Sequence, residues 1–430
     1  MEAKELIEMN PLFCMVTGEA GSGKTYLIRE VIKQKPDWGL LCATTGTAAR
    51  VLGEDVKTYN SSCGFFDLES LQASISRGTL SKNLKTIRKK YRRLIIDEAS
   101  MIDAQVFELL VQQCQHAGLG LILVGDFLQL PPVQTWNKGK TYWLFKTNTW
   151  AQFDVLQLTS QWRHTNPSFL KALNLLRSGK GAEAIAHLKS AGVIFKPTGT
   201  ADPHFNGTTI VATNSKRAMI NKRCYDELDG EEYTYTTTRS GKQLYEWKEI
   251  AEQVTLRCNA RVMILRNLYD KDTHELLQAN GDTGLIIEMG EKSVTILRDD
   301  GETIEVEMFL SHNARTHSLI HSDGSREVIV DEEPSASIKY MPLTLAWALT
   351  THKAQGLTIK HPCQIIFEDF FQSAAMVYVA ISRVANPCHL TLVGAGDTGI
   401  DYETKQEVQI FDEPRIKTFC NMDKQCEAFV

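Results

Sequence analysis

Eight consecutive residues, Gly18-Glu19-Ala20-Gly21-Ser22-Gly23-Lys24-Thr25, carry the most explicit chemistry in this chain. They lie between the apolar run Phe13-Cys14-Met15-Val16 and a helix-like stretch over residues 26–32. Strand, then G-x-x-x-x-G-K-T, then helix is the context of a phosphate-binding loop. The glycines let successive backbone amides curl toward a triphosphate, and the helix N-terminus adds its partial positive charge. Lys24 then reaches the β- and γ-phosphates, and Thr25 offers its hydroxyl to Mg2+. Downstream, Leu94-Ile95-Ile96 ends in Asp97-Glu98. Phosphoryl transfer needs such a pair: Asp97 to hold Mg2+ through water, Glu98 to orient or deprotonate the attacking water. A third apolar strand, over residues 119–124, runs into Gly125-Asp126-Phe127-Leu128-Gln129-Leu130-Pro131-Pro132. The two prolines stiffen this segment, and Gln129 is placed to sense a γ-phosphate. Three polar groups delivered to one edge of a parallel sheet fit the switch-point rule for open α/β sheets.

The elements that must position these groups follow from the pattern between them. Residues 12–16 and 39–43 read as short buried strands joined through a helix, a βαβ unit. Thr44-Thr45-Gly46-Thr47 follows the second strand directly, as phosphate donors, as a cap for the next helix, or as both. Residues 54–80 are irregular and contain Thr58 and the aromatic pair Phe65-Phe66. Lys82, Lys85, Arg88, Lys89, Lys90, Arg92 and Arg93 follow without an intervening acid, either a solvated face or a nucleic-acid contact. A helix over 104–116 returns the chain to the strand at 119–124, and this first domain is expected to end near Phe153.

Composition sets the outer limits. A chain of 430 residues is too long for one ordinary domain and suggests about three. Its 43% apolar and 23% charged residues are those of a soluble globular protein. The net charge of −5 announces no nucleic-acid partner, yet a local basic groove is enough to bind a phosphate backbone. No run approaches a membrane span, and the N-terminus lacks a signal-peptide apolar region. Ten cysteines without a C-x-x-C pair read as reduced thiols of a cytoplasmic protein.

Further motifs make the pattern specific. Leu156-Gln157-Leu158-Thr159-Ser160-Gln161-Trp162-Arg163 places an arginine just after a strand. Far downstream come Met341-Pro342-Leu343-Thr344-Leu345-Ala346-Trp347-Ala348-Leu349-Thr350-Thr351-His352-Lys353-Ala354-Gln355-Gly356 and then Val377-Tyr378-Val379-Ala380-Ile381-Ser382-Arg383. With the earlier motifs, these resemble the ordered set of superfamily 1 helicases, in the five-prime-to-three-prime branch of Pif-type, RecD-like and phage Dda-like enzymes. The resemblance spans residues 12–395. It implies an α/β fold of two tandem RecA-like P-loop NTPase domains with a small insertion in the first, about residues 54–92, as a candidate wedge. It also implies an inserted SH3-like barrel, placed over residues 281–338 by the alternating stretches around Asp299-Asp300-Gly301. The first domain is then 1–153, and the second 154–280 with 339–430.

The resemblance carries roles residue by residue. The eight loop residues, with Gln355 and Gly356, contact the nucleotide, ATP with Mg2+. Arg163 and Arg383 look like the two arginines that the second domain supplies to the γ-phosphate. His352 and Lys353 fall where donors reach backbone phosphates. Thr44, Thr47, Thr58 and Asn214 resemble single-strand contacts, with a cap or turn role as the alternative, and Phe65 with Phe66 reads as a wedge or, the better reading, as two buried core rings. The expected activity is ATP-dependent unwinding of duplex DNA by a monomer moving five-prime to three-prime on single-stranded DNA, at forks and tailed duplexes. Replication or repair proteins are further partners on this reading. The alternatives are a translocase that displaces proteins but unwinds weakly, and a helicase subunit of a repair complex. Three departures are visible. Residues 1–17 lack the glutamine that reads the adenine edge in many relatives, and Thr58-Tyr59-Asn60-Ser61 stands where "T-I-H-S" is usual. The stretch after Asp103 lacks the arginine-rich Pif-type signature, which favours the broader branch over the Pif-type family by name.

Overall fold

The computed structural model describes the chain except residues 1, 54–55, 131, 133–142, 179, 242–246, 248–249, 267, 270–275, 279–280, 314–315, 321–325, 331–335, 368–374, 396–415 and 420–430. Pro131 of the stiffened segment and Asn280 of the expected barrel entrance fall outside the described residues. Two compact units result, Met1–Ile220 with Ala348–Val430, and Asn221–Trp347.

The first unit holds two parallel sheets. In the first, β1 (Phe13–Gly18), β2 (Leu40–Ala43), β3 (Lys57–Thr58), β4 (Arg93–Asp97), β5 (Gly120–Gly125) and β6 (Asp154–Leu158) combine with Ile416–Phe419. Their spatial order is Ile416–Phe419, β6, β1, β5, β4, β2, β3, with every pairing parallel. Strands β4 and β5 are buried throughout, which is why they read as unbroken apolar runs and not as alternation. Helices α1 (Ala3–Met9), α2 (Lys24–Gln34), α3 (Gly46–Leu52), α4 (Tyr59–Cys63), α5 (Leu68–Ser76), α6 (Thr79–Lys90) and α7 (Ala104–His116) belong to this lobe. In α7 the buried set Val106, Phe107, Leu110, Val111 and Cys114 keeps helical spacing, and Asp103 caps the first turn through the Gln105 amide at 2.8 Å.

The second lobe is a five-stranded parallel sheet in the order Ala348–Thr350, β8 (Thr208–Val211), Cys363–Ile366, Leu390–Val393, β7 (Ile194–Lys196). Helices α8 (Pro167–Arg177), α9 (Gly181–Ser190), α10 (Asn214–Asp226), α11 (Thr351–Ala354) and α12 (Met376–Ile381) follow in the chain. One core joins Phe169, Leu173 and Leu176 of α8 to Ile210, Ile365 and Leu392 of the strands and Val379 of α12. The expected boundary at residue 153 needs correction. β6 pairs with β1, so residues 154–158 complete the first sheet before the chain crosses over.

Among the described residues, the strand pairings of the second unit are antiparallel. Thr303–Glu307, Ser293–Arg298, Thr283–Met289, Arg261–Ile264 and Leu343–Leu345 form one sheet in that order. The alternation over residues 293–297 is realised: Val294 and Ile296 are buried, and Gly301 at φ +91° turns the chain back. Among the described residues, antiparallel pairings occupy the segment where the resemblance implies an SH3-like barrel. The unit is also wider than residues 281–338. Tyr233–Thr236 pairs with Gln253–Leu256, and the buried Tyr235 packs with Leu256, Val262 and Ile286 in one core. Tyr233–Thr236 is therefore a strand with one inward face, Tyr235 buried and Thr234 and Thr236 exposed.

Arg93 reverses its sequence reading, and the pair Phe65-Phe66 divides between core and surface. Arg93 ends the basic run but is buried, with its guanidinium over Trp38 at 4.3 Å and bonded to the Pro11 and Trp38 carbonyls and Asn10 Oδ1. It ties β4 to the start of β1, whereas Lys82, Lys85, Arg88, Lys89, Lys90 and Arg92 are exposed. Phe65 is 1% exposed and meets Tyr59 edge-on at 5.7 Å, so it is core and cannot contact DNA or split a duplex; Phe66 is the exposed ring. Phe65→Ala is accordingly expected to cost about 3–5 kcal/mol in urea unfolding. At a temperature where the variant stays folded, strand separation should match the unsubstituted protein; a selective loss of separation would restore Phe65 as a wedge.

Candidate active site

The loop after β1 is held open by glycines where other residues would be strained. Gly21 (φ +86°) and Gly23 (φ +84°) occupy left-handed backbone, and a Cβ on Gly21 would come within 2.6 Å of Arg163 Cβ. The loop curls around Lys24, whose Nζ donates to the Gly18 and Glu19 carbonyls, each at 2.8 Å. Burial pushes the Lys24 ammonium below its ordinary pKa, while Asp126, Glu98 and Asp97 oppose that shift. Thr25, the next residue of α2, donates its hydroxyl to Asp97 Oδ2 at 2.8 Å.

Asp97 and Glu98 leave the end of β4 in different environments. Asp97 is 6% exposed, and burial, then the neighbouring Glu98, raises its carboxyl to about 6. Its Oδ1 accepts the Glu98 amide at 2.8 Å. Glu98 sits at φ +55°, left-handed backbone that is costly for a residue with a Cβ and is concentrated at functional sites. That turn aims its carboxylate away from the sheet, where Oε2 accepts Gln355 Nε2 of the second lobe at 2.9 Å.

The two arginines come from opposite ends of the second lobe's sequence and share one anchor. Arg163 Nη1 donates to the Ser382 carbonyl at 3.3 Å; Arg383 Nη2 donates to Ser382 Oγ at 2.8 Å, and its Nε to the Val379 carbonyl at 3.0 Å. Burial, then Arg383 itself, lowers Arg163 to about 9, and burial lowers Arg383. A buried guanidinium, a half-buried one and a buried ammonium around one space call for an anion of high charge. That space is a cavity of about 470 Å3 whose wall includes Lys24, Thr25, Asp97, Glu98, Arg163 and Arg383.

Other expected residues divide. Ala20, Gly21, Gly23, Gln129 and Gly356 also line the cavity. Gln129 is buried with no partner for its Oε1 among the described residues, an amide left to serve a ligand or water. Gly18, Glu19, Ser22 and Gln355 lie behind the wall and shape it through the bonds to Lys24 and Glu98 and the Ser22 amide bond to the Glu19 carbonyl. Of the single-strand candidates, Thr44 Oγ1 donates to the Glu98 carbonyl at 3.1 Å and Thr58 Oγ1 caps α4 through the Ser61 amide. Thr47 lies in α3; Asn214 and His352 are exposed at the starts of α10 and α11, with Lys353 half-buried beside them in sequence. Sequence reasoning missed Tyr26, Trp162 and Lys360 in the cavity wall. Trp162 was legible only as the neighbour of Arg163.

A family model described as an AAA domain matches residues 2–197. The ATP-dependent DNA helicase Pif1 of Bdellovibrio bacteriovorus is 29% identical over 91% of this chain and 86% of its own length. In sequence the chain is similar to Pif1 helicases over most of its length. The ATP-dependent DNA helicase PIF7 of Trypanosoma brucei brucei is 30% identical over 88% of the chain, and the human ATP-dependent DNA helicase PIF1 27% over 85%. The chain spans less than two thirds of both, 44% and 56% of their lengths. In fold it matches a crystal structure of Bacteroides sp Pif1 in complex with ADP-AlF4, with TM-score 0.69, 24% identity and 90% coverage of each chain. Candida albicans Pif1 matches with TM-score 0.66 at 22% identity, over 91% of this chain and 93% of that one. The likeness to Pif1 helicases falls within the branch that the motifs resemble and holds without the arginine-rich pattern after Asp103.

His164, next to Arg163, gives this site a pH signature. It is 2% exposed, its Nε2 is 3.2 Å from the Ser382 carbonyl, and burial, then Arg163, lowers it to about 4. A histidine whose folded pKa lies below its unfolded value of about 6.5 stabilises the fold only above the unfolded pKa. That contribution is lost as pH falls from about 6.5 toward 4, roughly 2 kcal/mol of it by pH 5. The stability difference between the unsubstituted protein and His164→Gln should shrink by that amount between pH 7 and pH 5 in urea titrations. A difference independent of pH would place the imidazole in a solvated setting.

Proposed function

We infer that this chain is an ATP-dependent DNA helicase that moves five-prime to three-prime along single-stranded DNA. The observation that carries the reading is one cavity walled by a phosphate loop and a carboxylate pair from one lobe and by the half-buried Arg163 and buried Arg383 beyond β6. Such a cavity fits one triphosphate between two halves of an active site. On binding, Lys24 turns from the Gly18 and Glu19 carbonyls to the β- and γ-phosphates. Glu98, held by Gln355, orients the attacking water and accepts its proton. Arg163 and Arg383 meet the charge that develops on the transferred phosphoryl group. Gln129 donates to the γ-phosphate edge from its rigid position. The adjoining Thr25 hydroxyl and Asp97 carboxylate are the hard oxygen donors that Mg2+ takes. Held there, Mg2+ would neutralise charge on the β- and γ-phosphates.

Because Gln355 belongs to the lobe that also presents His352 and Lys353, loss of the γ-phosphate changes the Glu98–Gln355 contact and the grip on the strand together. Closing and opening of the cleft is a hinge motion biased by those contacts. Trp162 and the exposed Tyr26 offer ring faces to the base, and stacking discriminates little between bases, in keeping with the missing upstream glutamine. A fork substrate tests the reading against the translocase alternative. Strand release on naked duplex, dependent on ATP, is expected; displacement of a bound protein without strand release would favour the translocase.

A further inference from the structure

Three polar contacts join the phosphate loop and the end of β5 to the second lobe, and of the residues that make them only Ala20 lies in the cavity wall. The Ala20 amide donates to the Tyr378 hydroxyl of α12 at 3.0 Å. Arg177, the last residue of α8, donates Nη2 to Asp126 Oδ1 at 2.9 Å. One turn earlier on α8, Asn174 faces the Glu19 carboxylate once its amide is oriented to donate, 3.2 Å from Oε2. Asp126, Asn174, Arg177 and Tyr378 are all absent from the wall around Lys24 and the two arginines.

The charges in this seam are tied to the loop. Asp126 is 1% exposed, and its Oδ2 has no partner among the described residues. Burial alone would raise its carboxyl, but Arg177 and then Lys24 outweigh that and hold it ionised. Asp126 is also the carboxylate that most favours the charged form of Lys24. When Lys24 turns to a triphosphate, Asp126 keeps Arg177 as its one bonded cation. Tyr378 lies five residues before Arg383 in the chain, and α8 packs on α12 in the second lobe's core. A shift of the loop at Ala20 or of β5 at Asp126 therefore moves the body that carries Arg383.

We propose that Asp126, Arg177 and Tyr378 are positioning residues that register the second lobe's arginines against the phosphate loop, setting turnover without setting nucleotide affinity. The proposal rests on the helicase reading of the same site. Misplacing a reacting group by about 1 Å costs up to about a hundredfold in rate, so loosening the seam should be visible in kcat.

The test measures ATP hydrolysis at saturating single-stranded DNA, with affinity for a non-hydrolysable ATP analogue and the thermal midpoint read alongside. Tyr378→Phe removes only a hydroxyl, and Arg177→Lys keeps the charge while losing the guanidinium fork. Asp126→Asn combined with Arg177→Gln removes both charges and leaves neither buried alone. Tyr378→Phe and the neutral double variant are expected to lower kcat about tenfold with analogue affinity within about twofold, and Arg177→Lys to recover part of the loss seen in Arg177→Gln. Combining Tyr378→Phe with the neutral pair should add little further loss, because the residues act as one unit. Unchanged kcat in Tyr378→Phe and the double variant, or affinity falling in step with kcat, overturns the seam. If the unsubstituted protein shows no DNA-stimulated hydrolysis, the helicase reading fails first, and the seam with it.

Discussion

Lys24→Ala should lower DNA-stimulated ATP hydrolysis by about 10^2–10^3-fold or more while leaving single-strand binding nearly unchanged. Lys24 is the loop's only cation, and it is buried beside Asp126, Asp97 and Glu98, so nothing else in that lobe can replace it at the β- and γ-phosphates. Its ammonium also stitches the loop by bonding the Gly18 and Glu19 carbonyls. Some loop disorder is therefore part of the loss. Steady-state turnover with saturating single-stranded DNA checks the first half of the expectation, and fluorescence anisotropy of a labelled oligonucleotide checks the second. Retained full turnover would remove the loop from the active site altogether.

Arg383→Ala is expected to have an effect of similar size by a different route. A guanidinium that meets charge only as the phosphoryl group transfers contributes about 10^3–10^5 in kcat and little to ground-state affinity. Arg383 is buried, and its Nε and Nη2 bonds to Val379 and Ser382 hold the planar group in one orientation. Arg383→Lys keeps the charge but loses that fork, so it should recover only a small part of the rate. Nucleotide binding measured beside turnover separates the possibilities. Affinity within a few-fold of the unsubstituted protein supports a transition-state role, whereas a collapse of affinity would make Arg383 a ground-state ligand.

The chemistry of this chain was more legible in its sequence than its boundaries were. Lys24, Thr25, Asp97 and Glu98 can be read because covalent spacing carries them: a loop between strand and helix, and carboxylates at the end of an apolar strand. Arg163 and Arg383 needed the resemblance, since 220 positions separate them and only the fold brings both to Ser382. Residues whose role depends on a partner far away in the chain stayed hidden. Nothing local tells that Phe65 faces Tyr59 while Phe66 faces solvent, or that Arg93 turns inward to Trp38 while Arg92 does not. Asp126 was visible only as a neighbour of Gln129, although it carries the ion pair to Arg177. The boundary at residue 153 failed for a related reason: a parallel strand finds its place through a crossover, and β6 returns to β1 across more than a hundred residues. The start of the second unit at Asn221 was equally unmarked, because the Thr-rich strand there becomes apolar only through Tyr235.

Cleft closure that advances the chain along one strand in one direction is the central claim, and duplexes carrying a single-stranded tail on one side test it most directly. With ATP and Mg2+ under single-turnover conditions, strand release is expected from the five-prime-tailed duplex and to be absent with Lys24→Ala. Release from the three-prime-tailed duplex alone would contradict the direction of movement, and release from neither would contradict the helicase itself.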